Sequence, residues 1–362
     1  HNLGEVIDGV VKMIDNPDVT TQELMECIKG PDFPTGGIIL GRKGIYDTYS
    51  TGRGRIVTRA KTEVEPMPNG RQRIVVTEIP YMVNKSVLVA KIAELVHDKR
   101  LEGISDIRDE SDREGMRIVI ELKRDVNSAV VLNYLYKHTQ MQESFGAIML
   151  ALVDGEPKVL SLHQMLYHYL EHQKDVIVRR TRYDLDKAEA RAHILEGLLI
   201  ALDNIDEIVR IIRNSPNTAE AKVQLMERFA LSDKQAQAIL DMRLARLTGL
   251  ERERLQEEYA ELEKTIAYLR AVLADEKMVL GIIREEILAI KAKYADERRT
   301  QISVMDGEID PEDLIQEDSV VVTLTHFGYV KRIPRTTYRS QNRGGKGIMG
   351  MTTREEDYAE QL

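Results

Sequence analysis

The stretch LQEEYAELEKTIAYLRAVLADEKMVLGIIREEILAIKAKY, residues 255–294, has apolar side chains at alternating steps of four and three. This heptad spacing is typical of a helix that packs in a coiled coil. The predicted seam, in which one member is charged, is Leu255, Tyr259, Leu262, Ile266, Leu269, Leu273, Glu276, Leu280, Ile283, Ile287, Ile290 and Tyr294. A straight helix over these residues would be about 60 Å long at about 1.5 Å per residue.

A second segment, residues 162–197, has the same spacing and a less regular seam. The predicted members of that seam are Leu162, Leu166, Tyr169, Gln173, Val176, Arg180, Tyr183, Lys187, Ala190, Ile194 and Gly197. Two heptad segments of one chain can pair only if the chain turns back between them. The sequence therefore predicts a long antiparallel coiled-coil arm of two helices.

The residues between the two segments predict a small helical globule at the tip of the arm. A globule of this size buries little apolar surface by itself, so we expect it to dimerise. The predicted dimer contacts follow the capping residue Ser232 and are Ala236, Ile239, Leu240, Leu244 and Leu247. A long arm with an apolar tip is typical of a gate or a clamp.

The part of the chain before the arm mixes short helices with strands, which predicts the α+β class. Thr20 and Glu23 predict a capped helix, and a turn at residues 66–70 joins predicted strands at 55–63 and 73–79 into a hairpin. The predicted parts are a mixed α/β domain at 1–157, the arm at 158–203 and 251–300, the globule at 204–250, an acidic linker at 301–319 and a short C-terminal β segment at 320–362, which opens with a hairpin.

Composition limits the class of protein. The chain has 362 residues, of which 43% are hydrophobic, and this is enough for two or three buried cores. No window reaches the roughly 18 uninterrupted apolar residues of a membrane helix, and the first residues lack the basic head and apolar run of a signal peptide. A single cysteine, Cys27, fits a reducing compartment. We expect a cytoplasmic protein with no membrane partner.

Cations are unevenly distributed in this chain, whose net charge is −9. Residues 36–61 contain Asp47 as their one acid, and residues 329–346 contain none. Such clusters are typical of surfaces that bind DNA phosphates, although a solvated charged face or an ordinary glycine-rich loop has the same composition. The predicted DNA contacts are Arg42, Lys43, Arg53, Arg55, Arg59, Lys61, Lys331, Arg332, Arg339, Arg343 and Lys346.

No pattern of a catalytic or metal centre is present in the sequence. His163, His168 and His172 share a predicted helix, where they are better explained as surface or seam residues of the arm than as metal ligands. The run GGKG at 344–347 lacks the Ser or Thr and the flanking elements of a phosphate-binding loop. We therefore expect that this chain binds no metal and no cofactor, and that it is a scaffold with DNA-contacting patches.

Long motifs identify a family: GPDFPTGG at 30–37, TGRGRIVTRAK at 51–61, EIPYMVNK at 78–85, KQAQAILDMRLARLTGLE at 234–251 and VVVTLTHFGYVKR at 320–332. They resemble the A subunits of bacterial type IIA DNA topoisomerases, and the resemblance covers nearly the whole chain. The loop Gln341, Asn342, Arg343, Gly344, Gly345, Lys346 and Gly347 is similar to the box that distinguishes DNA gyrase from topoisomerase IV. Asn342 departs from the arginine that the family usually has there.

The resemblance implies a tower domain that contacts and bends DNA, a coiled-coil arm, and a globule that closes an exit gate by homodimerisation. It implies that the C-terminal segment begins a β-pinwheel that wraps DNA. The whole enzyme would be an A2B2 heterotetramer in the bacterial nucleoid, in which ATP-dependent strand passage introduces negative supercoils. Mg²⁺ and ATP are expected on the partner B subunit.

In this family the nucleophilic tyrosine belongs to a part that precedes the position of His1, so the resemblance implies that this chain does not cleave DNA by itself. Two alternatives stay open. The first is the A subunit of topoisomerase IV, which decatenates DNA. The second is a non-enzymatic coiled-coil DNA clamp, which predicts no role for the cations of residues 42–61.

Overall fold

A computed structural model describes residues 1–243, 249–304, 320–335, 351–352 and 356–361. The predicted acidic linker lies almost wholly outside these residues. The chain forms two compact units, which are described separately: His1–Gly30, Thr48–Arg53 and Ile148–Glu297 form the first, and Pro31–Asp47, Gly54–Ala147 and Arg298–Leu362 form the second.

The described chain contains both helices and strands, and six helices follow one another between residues 162 and 294, in agreement with the predicted α+β class. The helices are α1 (Leu3–Asp15), α2 (Thr21–Cys27), α3 (Lys43–Thr51), α4 (Lys85–His97), α5 (Ser128–His138), α6 (Leu162–Asp203), α7 (Ile205–Asn214), α8 (Thr218–Phe229), α9 (Asp233–Leu240), α10 (Gly249–Ala274) and α11 (Glu276–Tyr294). The strands are β1 (Ile38–Leu40), β2 (Arg53–Arg59), β3 (Lys61–Pro66), β4 (Gln72–Glu78), β5 (Ile104–Asp109), β6 (Ile118–Leu122), β7 (Gln142–Ile148), β8 (Leu150–Val153), β9 (Glu156–Val159), β10 (Gln301–Ser303), β11 (Val320–Thr325), β12 (Val330–Pro334) and β13 (Ala359–Gln361). None of the described helices is long and apolar enough to cross a membrane.

Helices α6 and α10 of the first unit run antiparallel, as the heptad pattern predicts. Asp203 at the end of α6 pairs with Arg252 near the start of α10, whereas Glu189 pairs with Arg270 near the end of α10 at 2.5 Å. α6 has 42 residues and begins at a capping box, in which the Ser161 hydroxyl accepts from the Gln164 N–H. Exposed ion pairs such as these stabilise by about 0–1 kcal/mol each, so the apolar seam holds the helices together.

The predicted seam of α6 was wrong in its middle by one residue. Leu162, Leu166 and Gly197 are buried as predicted, but the other buried positions include Leu170, Ile177, Thr181, Ala188 and Leu195, each one residue after a predicted member. One residue turns a helix by about 100°, so the predicted register would have directed charged side chains inward. The structure instead places Arg180 and Lys187 in solvent.

The returning helix is broken, whereas the sequence predicted one continuous helix. Asp275 separates α10 from α11, and its carboxylate accepts from the Lys277 N–H as an N-cap. The predicted seam fails at its end: Ile290 and Tyr294 are 45% and 60% exposed. The reason is a change of partner, since Asp8 of α1 pairs with Lys291 of α11 at 2.5 Å.

The globule at the turn of the arm is built from α7, α8 and α9 together with the end of α6. Its core consists of buried aliphatic side chains, among them Leu198, Ile208, Leu225 and Ile239. Gly197 permits this packing, because a Cβ there would lie 2.7 Å from the Cβ of Gln235 on α9.

The second unit contains two four-stranded sheets, in the strand orders β10-β1-β2-β7 and β3-β4-β6-β5. The predicted hairpin is confirmed, with Pro66 opposite Gln72. The prediction of a single strand at 55–63 is wrong, because β2 ends at Arg59 and β3 begins at Lys61. Between these strands the Ala60 N–H donates to the Met141 carbonyl at 2.7 Å, and the chain passes there from one sheet to the other. The core against the second sheet is formed by apolar side chains of α4 and α5, including Leu88, Ile92 and Leu135.

Strand β10 joins the first sheet from far along the chain and pairs in parallel with β1. A buried clasp holds the segment just before it. The Thr300 hydroxyl accepts from the Phe33 N–H at 2.8 Å and donates to the Gly36 carbonyl at 3.0 Å, and the Asp32 carboxylate accepts from the Thr300 N–H at 2.9 Å. Thr300 is 0% exposed, so these bonds form in the absence of bulk water. The motif PDFPTGG thus receives the chain where it returns to the sheet.

The described C-terminal residues form a small antiparallel sheet with β11 in its centre. The hairpin predicted there is confirmed, since Val320 lies opposite Pro334 and Leu324 lies opposite Val330. Gly328 takes the left-handed φ of +80° that the turn requires.

Candidate nucleic-acid interface

Strand β2 presents a polar side and a buried side. Ile56 and Thr58 are 1% and 4% exposed, whereas Arg55 lies on the opposite side of the strand and is exposed. This alternation follows from the period of two in a strand. Arg53, the first residue of the strand, is also exposed.

The start of helix α3 lies directly beside Arg55. A Cβ on Gly44 would be 2.0 Å from the Arg55 carbonyl oxygen, so only a glycine permits this approach of helix to strand. Arg42 and Lys43 precede Gly44 and are exposed. We call Arg42, Lys43 and Arg55 the basic face.

The basic face is free to bind anions. Among the described residues no carboxylate forms an ion pair with any of its three side chains, and the one side-chain hydrogen bond is from Arg55 Nε to Ser144 Oγ at 2.7 Å. That bond leaves the two terminal nitrogens of the Arg55 guanidinium for another acceptor. The arrangement can therefore bind phosphate groups through three cations.

Arg59 has a structural role. Its Nε donates to Gln142 Oε1 at 2.8 Å, and its guanidinium carbon lies 4.3 Å from the centre of the Tyr136 ring. Burial lowers the pKa of the Arg59 guanidinium from its usual value, but arginine stays charged at neutral pH. Arg59 thus connects β2 to β7 and α5.

Lys61 is paired within the unit. Its ammonium nitrogen is 3.6 Å from a carboxylate oxygen of Glu78, which lies directly opposite it on β4. The structure therefore separates the six cations predicted between residues 42 and 61 into exposed groups and groups with internal partners.

In the second sheet of this unit, several cations form ion pairs with carboxylates. Glu65 accepts from Arg73 at 2.7 Å, and Arg108 pairs with Glu121 at 2.8 Å. Hydrogen bonds from Lys85 and Ser111 lower the pKa of the Asp109 carboxyl to about 2. These cations are neutralised by neighbouring carboxylates and are poor candidates for phosphate contacts.

Comparisons with known proteins place the chain in a family. The family model for the A subunit of "DNA gyrase/topoisomerase IV" matches residues 1–288. The chain belongs to this family. A second model, described as "DNA gyrase C-terminal domain, beta-propeller", matches residues 319–359.

Similar proteins carry the same description. The chain is 62% identical over its full length to the DNA gyrase A subunit of Clostridium acetobutylicum and covers 44% of that protein. It is 61% identical to the DNA gyrase A subunit of Halalkalibacterium halodurans, of which it covers 43%, and 56% identical to that of Staphylococcus epidermidis, of which it covers 41%. The chain thus spans less than half the length of these gyrase subunits.

The C-terminal cations are described in part. Lys331 and Arg332 are exposed neighbours on β12, so they point to opposite sides of that strand. Arg339, the predicted gyrase box at 341–347 and with it Arg343 and Lys346 lie outside the described residues. Their assignment in this member of the gyrase and topoisomerase IV family stays a prediction.

Two of the five residues predicted to form the dimer gate are buried within the globule. Ala236 and Ile239 are 0% and 3% exposed and pack in the core of the chain's own globule, so in this structure they offer no surface to a second chain. Leu240 is half-buried, and Leu244 and Leu247 lie outside the described residues. α9 packs on α6 within the chain, and the assignment of its apolar residues to a dimer contact stays a prediction.

Sequence reasoning missed the residues that hold the candidate site together. Ser144 and Gln142 are separated from their arginine partners by 89 and 83 residues, and no local pattern connects them. Glu78 stands in the motif EIPYMVNK, which was the one signal that could have found it. Within the described residues no group of three or more His, Cys, Asp or Glu side chains could hold a metal ion.

Proposed function

We propose that this chain is a DNA-binding part of a gyrase A subunit, and that its basic face contacts the phosphates of duplex DNA. One observation carries the proposal: Arg42, Lys43 and Arg55 are exposed, none of them forms an ion pair with a carboxylate of the described residues, and the backbone of Gly44 lies close to that of Arg55. Exposed cations on neighbouring backbone segments can bind a phosphate backbone without reading its sequence.

Replacement of all three basic-face residues by alanine is expected to weaken DNA binding and to reduce its salt dependence. Each phosphate contact contributes about 0.9 to the slope of log K against log salt, so the slope should decrease in magnitude by up to about 2.7. The loss of affinity at low salt should be roughly ten- to hundredfold, since each ion pair contributes about 1 kcal/mol in water. Titration of a labelled duplex at several salt concentrations measures both quantities.

The chain offers a matched control for this experiment. Arg113, Lys123 and Arg124 belong to the same unit, are exposed and change the charge by the same amount when replaced by alanine. We expect this control to alter the slope much less. If the basic-face variant keeps the full slope, the DNA-binding proposal fails and the coiled-coil clamp becomes the better hypothesis.

We propose that the arm and its globule act as an exit gate. The antiparallel pairing of α6 with α10 and the compact globule at their turn support this role. The gate would close by homodimerisation of the globule and open to release a DNA segment. A sedimentation experiment that finds only monomers at micromolar concentration would remove this proposal.

For the whole enzyme we propose ATP-dependent double-strand passage that introduces negative supercoils, in a complex of two A and two B subunits in the bacterial cytoplasm. In this proposal Mg²⁺ and ATP bind to the B subunit, the nucleophilic tyrosine lies outside this chain, and the gyrase box wraps DNA. The match of residues 319–359 to the gyrase C-terminal domain supports gyrase over topoisomerase IV.

A plasmid assay tests the assignment to gyrase. The full-length A subunit that contains this chain is combined with ATP and the B subunit, with Arg343 and Lys346 intact or replaced by alanine. The intact enzyme is expected to supercoil relaxed plasmid, and the variant to relax or decatenate only. Equal supercoiling by both would show that the loop is an ordinary turn, and decatenation alone by the intact enzyme would favour topoisomerase IV.

A further inference from the structure

Glu78 holds two groups with one carboxylate. Its Oε1 is 3.6 Å from the Lys61 ammonium, and its Oε2 accepts from the Gly37 N–H at 2.5 Å. Gly36 and Gly37 have left-handed φ values of +69° and +79°, and a Cβ on Gly36 would lie 2.3 Å from Oε2. The absence of a Cβ at Gly36 therefore leaves the space that this carboxylate occupies.

The hydrogen bond to Gly37 fixes the position of the negative charge. Glu78 is 28% exposed at its side chain and Lys61 is 36% exposed, so both groups border on solvent. An ion pair at this exposure is weak, because water screens it. A DNA phosphate near Lys61 would therefore compete with Glu78 for the same ammonium group.

We propose that Glu78 is a positioning residue that withholds Lys61 from DNA and so limits the affinity for DNA of the second unit, to which the basic face also belongs. This inference rests on the proposed DNA-binding function. In the free protein Lys61 is neutralised, and it contributes to DNA binding only when a phosphate displaces the carboxylate. The negative charge of Glu78 also repels a phosphate that approaches Lys61.

The Glu78→Gln substitution tests the inference. Glutamine keeps a carbonyl oxygen that accepts from the Gly37 N–H, but it loses the charge that holds Lys61. We expect the affinity for duplex DNA at low salt to rise by roughly three- to tenfold, and the salt slope to increase in magnitude by about 0.9 as one more phosphate contact forms. Lys61→Ala alone should leave the slope nearly unchanged, and Lys61→Ala added to Glu78→Gln should remove the gain.

A control separates this effect from a general change in charge. Glu63 stands two residues after Lys61 on β3, is exposed and forms no ion pair among the described residues. Glu63→Gln removes the same charge without releasing a cation, so its slope should stay at the wild-type value. Thermal unfolding of each variant, with Glu78→Ala as a variant that loses the Gly37 bond, identifies any loss of the fold.

The outcomes distinguish this inference from the function on which it rests. If the basic-face variant lowers the slope and Glu78→Gln does not raise it, the role of Glu78 is wrong and DNA binding stands. A decrease of the slope by Lys61→Ala alone would likewise overturn the inference, because Lys61 would already contact DNA in the wild type. If the basic-face variant leaves the slope unchanged, the proposed function itself fails.

Discussion

Gly44→Ala is expected to destabilise the second unit by at least about 3 kcal/mol, at the upper end of the usual cost of overpacking. The added Cβ would lie 2.0 Å from the Arg55 carbonyl oxygen and 2.9 Å from its carbonyl carbon. Both atoms belong to the backbone of a paired strand, so no side-chain rotation relieves the contact. Either α3 or β2 must move, and urea unfolding measures the cost.

The same substitution is expected to weaken DNA binding by the molecules that remain folded. A shift of α3 separates Arg42 and Lys43 from Arg55, and the three cations then no longer match one stretch of phosphates. Gly146→Ala on β7 is the matched control, because a Cβ there has no atom within 4 Å. Equal urea midpoints for the two variants would contradict the close approach of α3 to β2.

Thr300→Val is expected to lower the free energy of unfolding by about 3 kcal/mol. Valine has nearly the same shape as threonine, but it lacks the hydroxyl that accepts from the Phe33 N–H and donates to the Gly36 carbonyl. Each buried backbone group left without a partner costs about 1–3 kcal/mol. Urea unfolding and hydrogen exchange of the Phe33 amide both report the loss of the clasp.

Thr300→Ser keeps the hydroxyl and removes one methyl group, so it should cost only about 1 kcal/mol. The expected order of stability is therefore wild type, serine variant, valine variant. A valine variant as stable as the serine variant would mean that the two hydrogen bonds of the hydroxyl contribute little to the fold.

Local patterns predicted the elements of the fold more accurately than the contacts between those elements. The capping box of Thr20 and Glu23 and the hairpin of β3 and β4 both formed as predicted, since each depends on residues close in sequence. The seam of α6 failed because a shift of one residue keeps the period but changes the face. The presence of Arg180 and Lys187 in the predicted seam indicated that its register was wrong, because an unpaired charge is costly to bury.

The candidate site shows the same limit. Alternation along the strand predicts that Arg55 faces solvent, and the cluster of cations predicts a phosphate-binding surface. It does not predict that Arg59 and Lys61 have internal partners, because Gln142, Tyr136 and Glu78 come from other strands and a helix. Charge composition counts cations, whereas tertiary contacts decide which of them are available to a ligand.

The parallel pairing of β1 with β10 has a consequence for biosynthesis. The Phe33–Thr300 hydrogen bond joins residues 267 positions apart. At about 5–20 residues per second a ribosome needs roughly 15–50 s to make the intervening chain. Throughout that interval β1 is an unpaired strand edge, which can template pairing with another nascent chain. The arm and globule are synthesised before β10 is available to pair with this edge, so the sheet next to the basic face is completed late in translation.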